Sequence, residues 1–420
     1  MSGVGQQQPG SSRPSLGPRA ALVALVIGAL GLLLGAVLGL LGEVFFSGYL
    51  MAFVFWSNVS LGALVLLAVN HLAGGSWGAL IRRPLEAMVA SLPLVALFFV
   101  PVAFGVGVLY PWADPVYVAA HPLVEFKAGY LNVTWYLIRT VLYFIVWIAI
   151  AWFYLRNARA QDERPEEAGR LAYRMRSVSG LALVTYVITV TLAAVDWGMS
   201  LTPEWWSGIY GLIFMISQAV CAMALIIVFM ATLARIDTTV DRLLTWKRLQ
   251  DLGNFLLGFI MFWAYVNISQ LIIQWSGNIV ETNTFYVLRF NVEPWRGLGI
   301  YLAVAGFALP FVILFSRWVK RQRAALAFVS FWAILNQALH TYWYLAPEVG
   351  RAGLPLLSDL LLFVGVGGVW LAFVLRSLAS RSLVSEHDPR LRHPPVPSRA
   401  APGRVAPEPA GSGAAEVRHA

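Results

Sequence analysis

Seven stretches of this chain contain no Asp, Glu, Lys or Arg: Ala20–Gly42, Val44–Asn70, Ala87–Ala113, Ser177–Val195, Trp205–Ala234, Leu252–Val280 and Gly297–Ser316. A helix crosses about 30 Å of hydrocarbon in about 20 residues, and each stretch is long enough to do so. Three more, around Asn132–Leu155, Ala324–Tyr344 and Pro355–Leu375, qualify once one or two ionisable residues are admitted. In lipid the backbone has no water to bond, so runs of this length are read as helices that satisfy their own N–H and C=O groups. The pattern predicts an all-α polytopic membrane protein with about ten transmembrane helices. Only 12% of the residues are charged, about half the share in a soluble domain.

Basic residues collect on alternate connections. The N-terminal tail, the 2–3, 4–5, 6–7 and 8–9 connections and the C-terminal tail hold 25 Lys and Arg. The other face holds Lys127, Arg289, Arg296 and Arg351, and Arg139 lies within span 4. Positive residues are retained on the cytoplasmic side, so both termini are expected there. The net charge of +9 then reflects attraction to the anionic cytoplasmic leaflet. Membrane lipids are the expected partners of this charge, and no nucleic acid is needed to explain it. Cys221 is the sole cysteine, which excludes a disulfide within the chain and Cys-ligated clusters.

Residues 1–19 are polar and rich in Pro, Gly and Ser, and are expected to be a disordered cytoplasmic tail. The apolar run that follows is long for a signal-peptide core and has no convincing cleavage site, so it reads as an uncleaved first helix. Residues 20–378 form the membrane domain. Residues 379–420 turn to Arg, Pro, Ala and Gly, a second tail that cannot bury a core. The expected helices are 20–42, 46–71, 84–108, 132–156, 174–198, 205–234, 250–276, 296–317, 323–346 and 355–378. Trp112, Trp135, Trp197, Trp205, Trp206 and Trp275 fall near the ends away from the basic connections, where an interfacial aromatic belt is expected.

Ionisable side chains inside spans are costly and mark functional positions. Arg139 lies about two turns into span 4, His340 toward the same end of span 9, Asp359 in the first turns of span 10, and Asp196 beside the 5–6 turn. His71 and Glu86 stand at the basic end. Asn336, Gln337 and His340 share a face of span 9, as Asn267 and Gln270 do on span 7, and Gln218 sits in the middle of span 6. Carboxylates and imidazole exchange protons and amides relay them, so His71, Glu86, Arg139, Asp196, His340 and Asp359 are proton-path candidates. Gln218, Asn267, Gln270, Asn336 and Gln337 are relay candidates. The same groups also serve as interhelical hydrogen-bond partners. Trp135, Tyr136 and Arg139 are candidates for holding a quinone ring. Asp251 reads as a cap or first-turn residue of span 7. No phosphate loop, nucleophile elbow or zinc motif appears. No catalytic residue and no metal ligand is assigned.

Two segments, DWGMSLTPEWWSGIYG (Asp196–Gly211) and DLGNFLLGFIMFWAYVNISQLIIQWSGNIVETNTFY (Asp251–Tyr286), resemble the second polysulfide-reductase-like (NrfD-like) membrane subunit of bacterial alternative complex III, the quinol:cytochrome c oxidoreductase. YWYLAPE (Tyr342–Glu348) is similar to that family too, and the resemblance spans roughly residues 20–378. It departs at Glu204, where many relatives carry His after the proline. The resemblance implies two four-helix bundles, helices 2–5 and 6–9, with two peripheral helices, in the bacterial cytoplasmic membrane. It implies no redox cofactor on the chain itself and quinol or quinone as the small molecule in play. Implied partners are a related membrane subunit, a multihaem cytochrome c subunit and an iron–sulfur subunit, which carry haem c and the clusters, and a terminal cytochrome oxidase. A scaffold with proton conduction, a quinone-binding anchor of another respiratory complex, and a secondary transporter all remain open. Transport has weaker support, since Pro93, Pro101 and Pro310 supply no matched pair of broken helices.

Overall fold

The computed structural model describes residues 18–385, without the side chains of residue 76 and residues 280–282. Residues 1–17 of the expected tail 1–19 and most of the tail 379–420 lie outside the described residues, and Pro18 and Arg19 already belong to the first helix. Among the described residues ten helices are long and apolar enough to cross a membrane: α1 Pro18–Leu41, α2 Phe45–Ala73, α3 Trp77–Phe104, α4 Val133–Glu163, α5 Pro165–Leu201, α6 Tyr210–Leu233, α7 Trp246–Gly277, α8 Trp295–Phe315, α9 Arg323–Val349 and α10 Leu357–Ala379. No strand occurs among the described residues. The chain is an all-α polytopic membrane protein.

The largest differences from expectation lie at helix ends. Charge-free runs stop at the first ionisable residue, but helices continue past the membrane surface where charges are solvated. Thus α4 reaches Glu163 and α7 starts at Trp246, capped by the Thr245 hydroxyl. Asp251 is therefore neither cap nor first-turn residue. α6 starts at Tyr210 rather than residue 205, because residues 202–209 form an irregular turn. α3 is interrupted at Ala90–Ser91, two residues before Pro93, and its two halves are Ser76–Val89 and Leu92–Phe104. A proline here lacks the N–H that a continuous helix would need. Ser91 donates to the Met88 carbonyl at 2.6 Å, and Trp370 Nε1 of α10 donates to Ser60 and Ser91 at 2.8 and 2.9 Å. α8 carries a π-helical turn over Leu302–Ala308, where Trp332 of α9 donates to the Ala305 carbonyl at 2.8 Å.

α2 and α6 are the axial helices: 83% and 72% of their apolar segments are buried, against 17% for α1. α2 packs with α3 and α5, and α4 closes that group; α6 packs with α7 and α9, and α8 closes the other. These are the two four-helix bundles, joined where α2 meets α6. At that crossing a Cβ on Gly62 would stand 2.0 Å from the Gln218 carbonyl oxygen, so only glycine permits the approach. α1 and α10 form the peripheral pair. Gly28, Gly31 and Gly35 bring α1 onto Gly365 and Gly368 of α10, and a Cβ on Gly28 would lie 2.5 Å from the Val369 nitrogen. Small residues allow this close packing in lipid, where apolar association has no water to escape. The rest of α1 presents leucines and valines outward.

The expected aromatic belt divides in two. Trp135, Trp206 and Trp275 are exposed, as an interfacial position requires, whereas Trp112, Trp197 and Trp205 are buried in the bundles. Spacing from a helix end gives depth in the membrane but not the direction a ring faces.

Candidate functional site

The end of the molecule away from the basic connections is hereafter the aromatic face. There Asp196–Gly211, Asp251–Tyr286 and Tyr342–Glu348 converge. Ser207 Oγ, in the 5–6 turn, donates to Gln270 Oε1 of α7 at 2.7 Å. The Trp205 and Phe285 rings stack with centroids 4.4 Å apart, and Phe285 lies 5.2 Å from Tyr344. Arg289, in the helix Val280–Asn291 between α7 and α8, is completely buried. Its Nη1 donates to Glu348 at 2.6 Å and to the Phe285 carbonyl at 2.7 Å. Nε and Nη2 donate to the Trp343 and Tyr344 carbonyls at 3.1 and 2.8 Å. The guanidinium also lies 3.4 Å above the Phe285 ring. Glu348 accepts a further bond from Thr202 in the 5–6 turn. Sequence reasoning counted Arg289 only among the charges of the connections opposite the basic ones and did not single out Glu348.

Arg139 and Asp196 also meet near this face. Arg139 Nε and Nη2 grip the Asp196 carboxylate at 3.0 and 2.8 Å, and Tyr143 donates to it at 2.8 Å. Asp196 is wholly buried, whereas Arg139 is partly exposed. Arg139 also donates to the Tyr130 carbonyl at 2.9 Å and lies 3.8 Å from that ring. Burial, then the nearby Asp196 charge, pushes the Tyr130 phenol up to about 12. Burial lowers the pKa of Lys127, whose ammonium donates to the Pro203 carbonyl at 2.6 Å. Of the quinone candidates, Tyr136 is buried and bonded to the Tyr110 hydroxyl at 3.0 Å, while Trp135 is exposed on the helix surface. The structure does not bring these two rings together.

In the second bundle His340 Nε2 lies 3.2 Å from Asn267 Oδ1. Asn267 Nδ2 donates to the Trp263 carbonyl at 2.8 Å, which leaves its oxygen facing the imidazole. A neutral His340 then carries its hydrogen on Nε2 and keeps Nδ1 as the basic nitrogen. Trp263 and Tyr344 enclose the ring at 4.9 and 5.0 Å. Asn336 and Gln337 are buried beside it on α9; the Asn336 Oδ1 and Gln337 Oε1 atoms accept no hydrogen bond from the protein. Between the bundles, Gln218 of α6 donates to Asn58 of α2 at 3.1 Å and accepts from Tyr186 of α5. This chain and the His340–Asn267 pair share no hydrogen-bond partner among the described residues.

At the basic end Glu86 is clamped by Arg82 at 2.7 Å and Arg83 at 2.8 Å, and Arg83 also pairs with Asp162. His71 stacks on Tyr154 with centroids 5.2 Å apart. Asp359 pairs with Arg351, accepts the Leu356 N–H at 2.8 Å at the start of α10, and abuts Gly48 of α2. A carboxylate held by two donors at a helix N-terminus has a structural reason to be there. The proton-path candidates thus divide into tight ion pairs (Glu86, Arg139 with Asp196, and Asp359) and imidazoles in aromatic surroundings (His71 and His340). No family model matches the chain, and a comparison with curated proteins finds no match.

Proposed function

We propose that this chain is an integral subunit of a respiratory quinol:cytochrome c oxidoreductase of the alternative complex III type, in a bacterial cytoplasmic membrane with the basic face inward. The observation that carries this reading is the convergence of Asp196–Gly211, Asp251–Tyr286 and Tyr342–Glu348. These are the three segments that resemble the family, and they meet through Ser207–Gln270, Trp205–Phe285 and Thr202–Glu348–Arg289. A surface built from separate parts of the chain suits a seat for extramembrane partners, here the multihaem cytochrome c and iron–sulfur subunits. The chain scaffolds these and a second NrfD-like subunit, and a terminal oxidase joins the assembly. Protons move through the buried polar groups of the second bundle, with His340 as the exchanging base. The unsatisfied oxygens of Asn336 and Gln337 offer acceptors to water in that interior.

The test is purification of the tagged chain in mild detergent with mass spectrometry and a reduced-minus-oxidised haem spectrum. The reading expects c-type haem, an iron–sulfur subunit and a second ten-helix protein. A lone colourless protein overturns it. Within the intact complex, His340→Ala and Asn267→Leu are expected to lower proton translocation per quinol oxidised. Unchanged translocation removes the proton path and leaves the scaffold.

A second reading, quinone binding by this chain, is favoured by a cleft of about 370 Å³ on the aromatic face. Phe126, Tyr130, Met199, Trp205 and Trp206 line it, and Lys127 supplies a donor. Flat aromatic walls with one polar group suit a quinone head. Photoaffinity quinone labelling of a peptide containing Tyr130 or Trp206 would support it, and labelling confined to another subunit would reject it.

A further inference from the structure

The break in α3 opens a groove on the lipid side of the first bundle. Its volume is about 400 Å³, and its walls are Val89, Ala90 and Pro93 of α3 facing Ile148, Trp152 and Leu155 of α4. At the basic end the same groove is lined by Arg156, Arg159 and Arg164, with Glu163 among them and Glu167 paired with Arg164 at 3.5 Å. Ile148, Trp152, Leu155, Arg159 and Glu163 recur at three- and four-residue intervals along α4, with Arg156 beside Leu155 and Arg164 at the helix end, so they form one stripe continuous with the apolar wall. From Arg156 to Arg164 the stripe runs about 12 Å along the axis at about 1.5 Å per residue, the depth of a headgroup layer. All three arginines are exposed, and Trp152, the exposed aromatic just below them, marks the boundary of the hydrocarbon. The Arg156 guanidinium lies 5.1 Å from the Trp152 ring. Arg83, Glu86 and Arg381 line an adjoining smaller pocket that shares Arg159, and there Glu86 is already neutralised by its arginines.

We propose that this groove is a binding site for an anionic phospholipid. One acyl chain lies along Pro93, Ile148 and Trp152, and the phosphate is held by Arg156, Arg159 and Arg164. Charge complementarity selects the occupant. An apolar helix face would accept any lipid tail, but three guanidiniums at headgroup depth outnumber the carboxylates of Glu163 and Glu167 beside them and favour a lipid with net negative charge. Guanidinium binds phosphate oxygens through paired N–H donors, which a zwitterionic headgroup occupies less well because its own cation competes. The groove exists because α3 bends at Ala90–Ser91, and the bend is fixed from inside by Trp370. The site is therefore formed before lipid arrives.

The experiment is native mass spectrometry of the delipidated full chain, titrated with dioleoylphosphatidylglycerol or dioleoylphosphatidylcholine. Near a membrane surface each basic residue contributes about fivefold to anionic-lipid affinity. The wild-type chain is expected to retain phosphatidylglycerol at least tenfold more tightly than phosphatidylcholine. R156Q/R159Q/R164Q is expected to lose that preference, and the matching triple lysine variant to keep most of it. Arg170→Gln, which removes a charge on the same connection outside the groove, is expected to change nothing. Equal retention of both lipids by the wild type overturns the proposal. So does an Arg170→Gln loss as large as that of any single groove arginine, which would indicate diffuse attraction. Displacement of phosphatidylglycerol by millimolar inorganic phosphate also overturns it, because the site would then hold a free anion rather than a lipid.

Discussion

Arg289 and Glu348 meet at 2.6 Å, with the arginine entirely removed from solvent. The pair ties the 7–8 connection to the end of α9, and Thr202 extends the tie to the 5–6 turn. Removing one partner of a buried pair leaves an uncompensated charge and costs about 3–5 kcal/mol. Arg289→Met and Glu348→Gln are each expected to lower the thermal midpoint in detergent, and the double variant to fall by less than the sum. An additive double variant would show that the two residues act independently.

The Arg139–Asp196 pair should behave asymmetrically. Arg139→Met strands a carboxylate with no solvent exposure, at a cost of about 3–5 kcal/mol. Asp196→Asn leaves an arginine that still donates to the Tyr130 carbonyl, and lost hydrogen bonds of that kind cost about 1–3 kcal/mol. Thermal unfolding of the two variants decides the order, and an Asp196→Asn loss larger than that of Arg139→Met contradicts it.

Gly62 and Gly258 form a matched pair of positions. Alanine at Gly62 must displace the α6 backbone at Gln218, whereas a Cβ at Gly258 meets nothing within 4 Å. Overpacking of this kind costs about 1–3 kcal/mol or more. Gly62→Ala is expected to destabilise the bundle junction, and Gly258→Ala to be neutral or mildly stabilising. Equal melting of the two variants would place the helix crossing elsewhere.

The Tyr130 phenol gives a pH signature. Its folded pKa, about 12, lies above the ordinary 10.0, so the folded chain holds this proton after the unfolded chain has lost it. The resulting stability is fully present below pH about 10 and is lost as pH rises through about 12. Thermal midpoints of the wild type should fall more steeply across that window than those of Tyr130→Phe. Parallel curves would mean that the hydroxyl is not shielded.

Helix number and all-α class follow from apolar run length and charge alternation, because lipid permits few other solutions, whereas the grouping into two bundles came only from the family resemblance. Side-chain direction was less legible. The 3.6-residue period placed Asn336, Gln337 and His340 on one face, and all three are buried together. The outer tryptophans had no such period to read, and half of them turned inward. Ion pairing was hidden for a different reason. Arg139 and Asp196 are 57 residues apart and Arg289 and Glu348 are 59 apart, and only the folded chain shows which carboxylate each guanidinium finds. The break in α3 was concealed because Pro84, Pro93 and Pro101 all lie in the same region, and composition does not distinguish a tolerated proline from a breaking one.

Trp370 gives the chain a sense of time. Ser60 and Ser91 leave the ribosome early, in the first bundle, while their shared donor in α10 follows 310 and 279 residues later. Until α10 arrives, the side-chain hydrogen bonds at the break in α3 are those between the two serines and from Ser91 to the Met88 carbonyl. The arrival of α10 is thus registered deep in a part of the chain made long before it. A chain truncated before α10 would lose more than a peripheral helix, since the first bundle would be left without its final fastening.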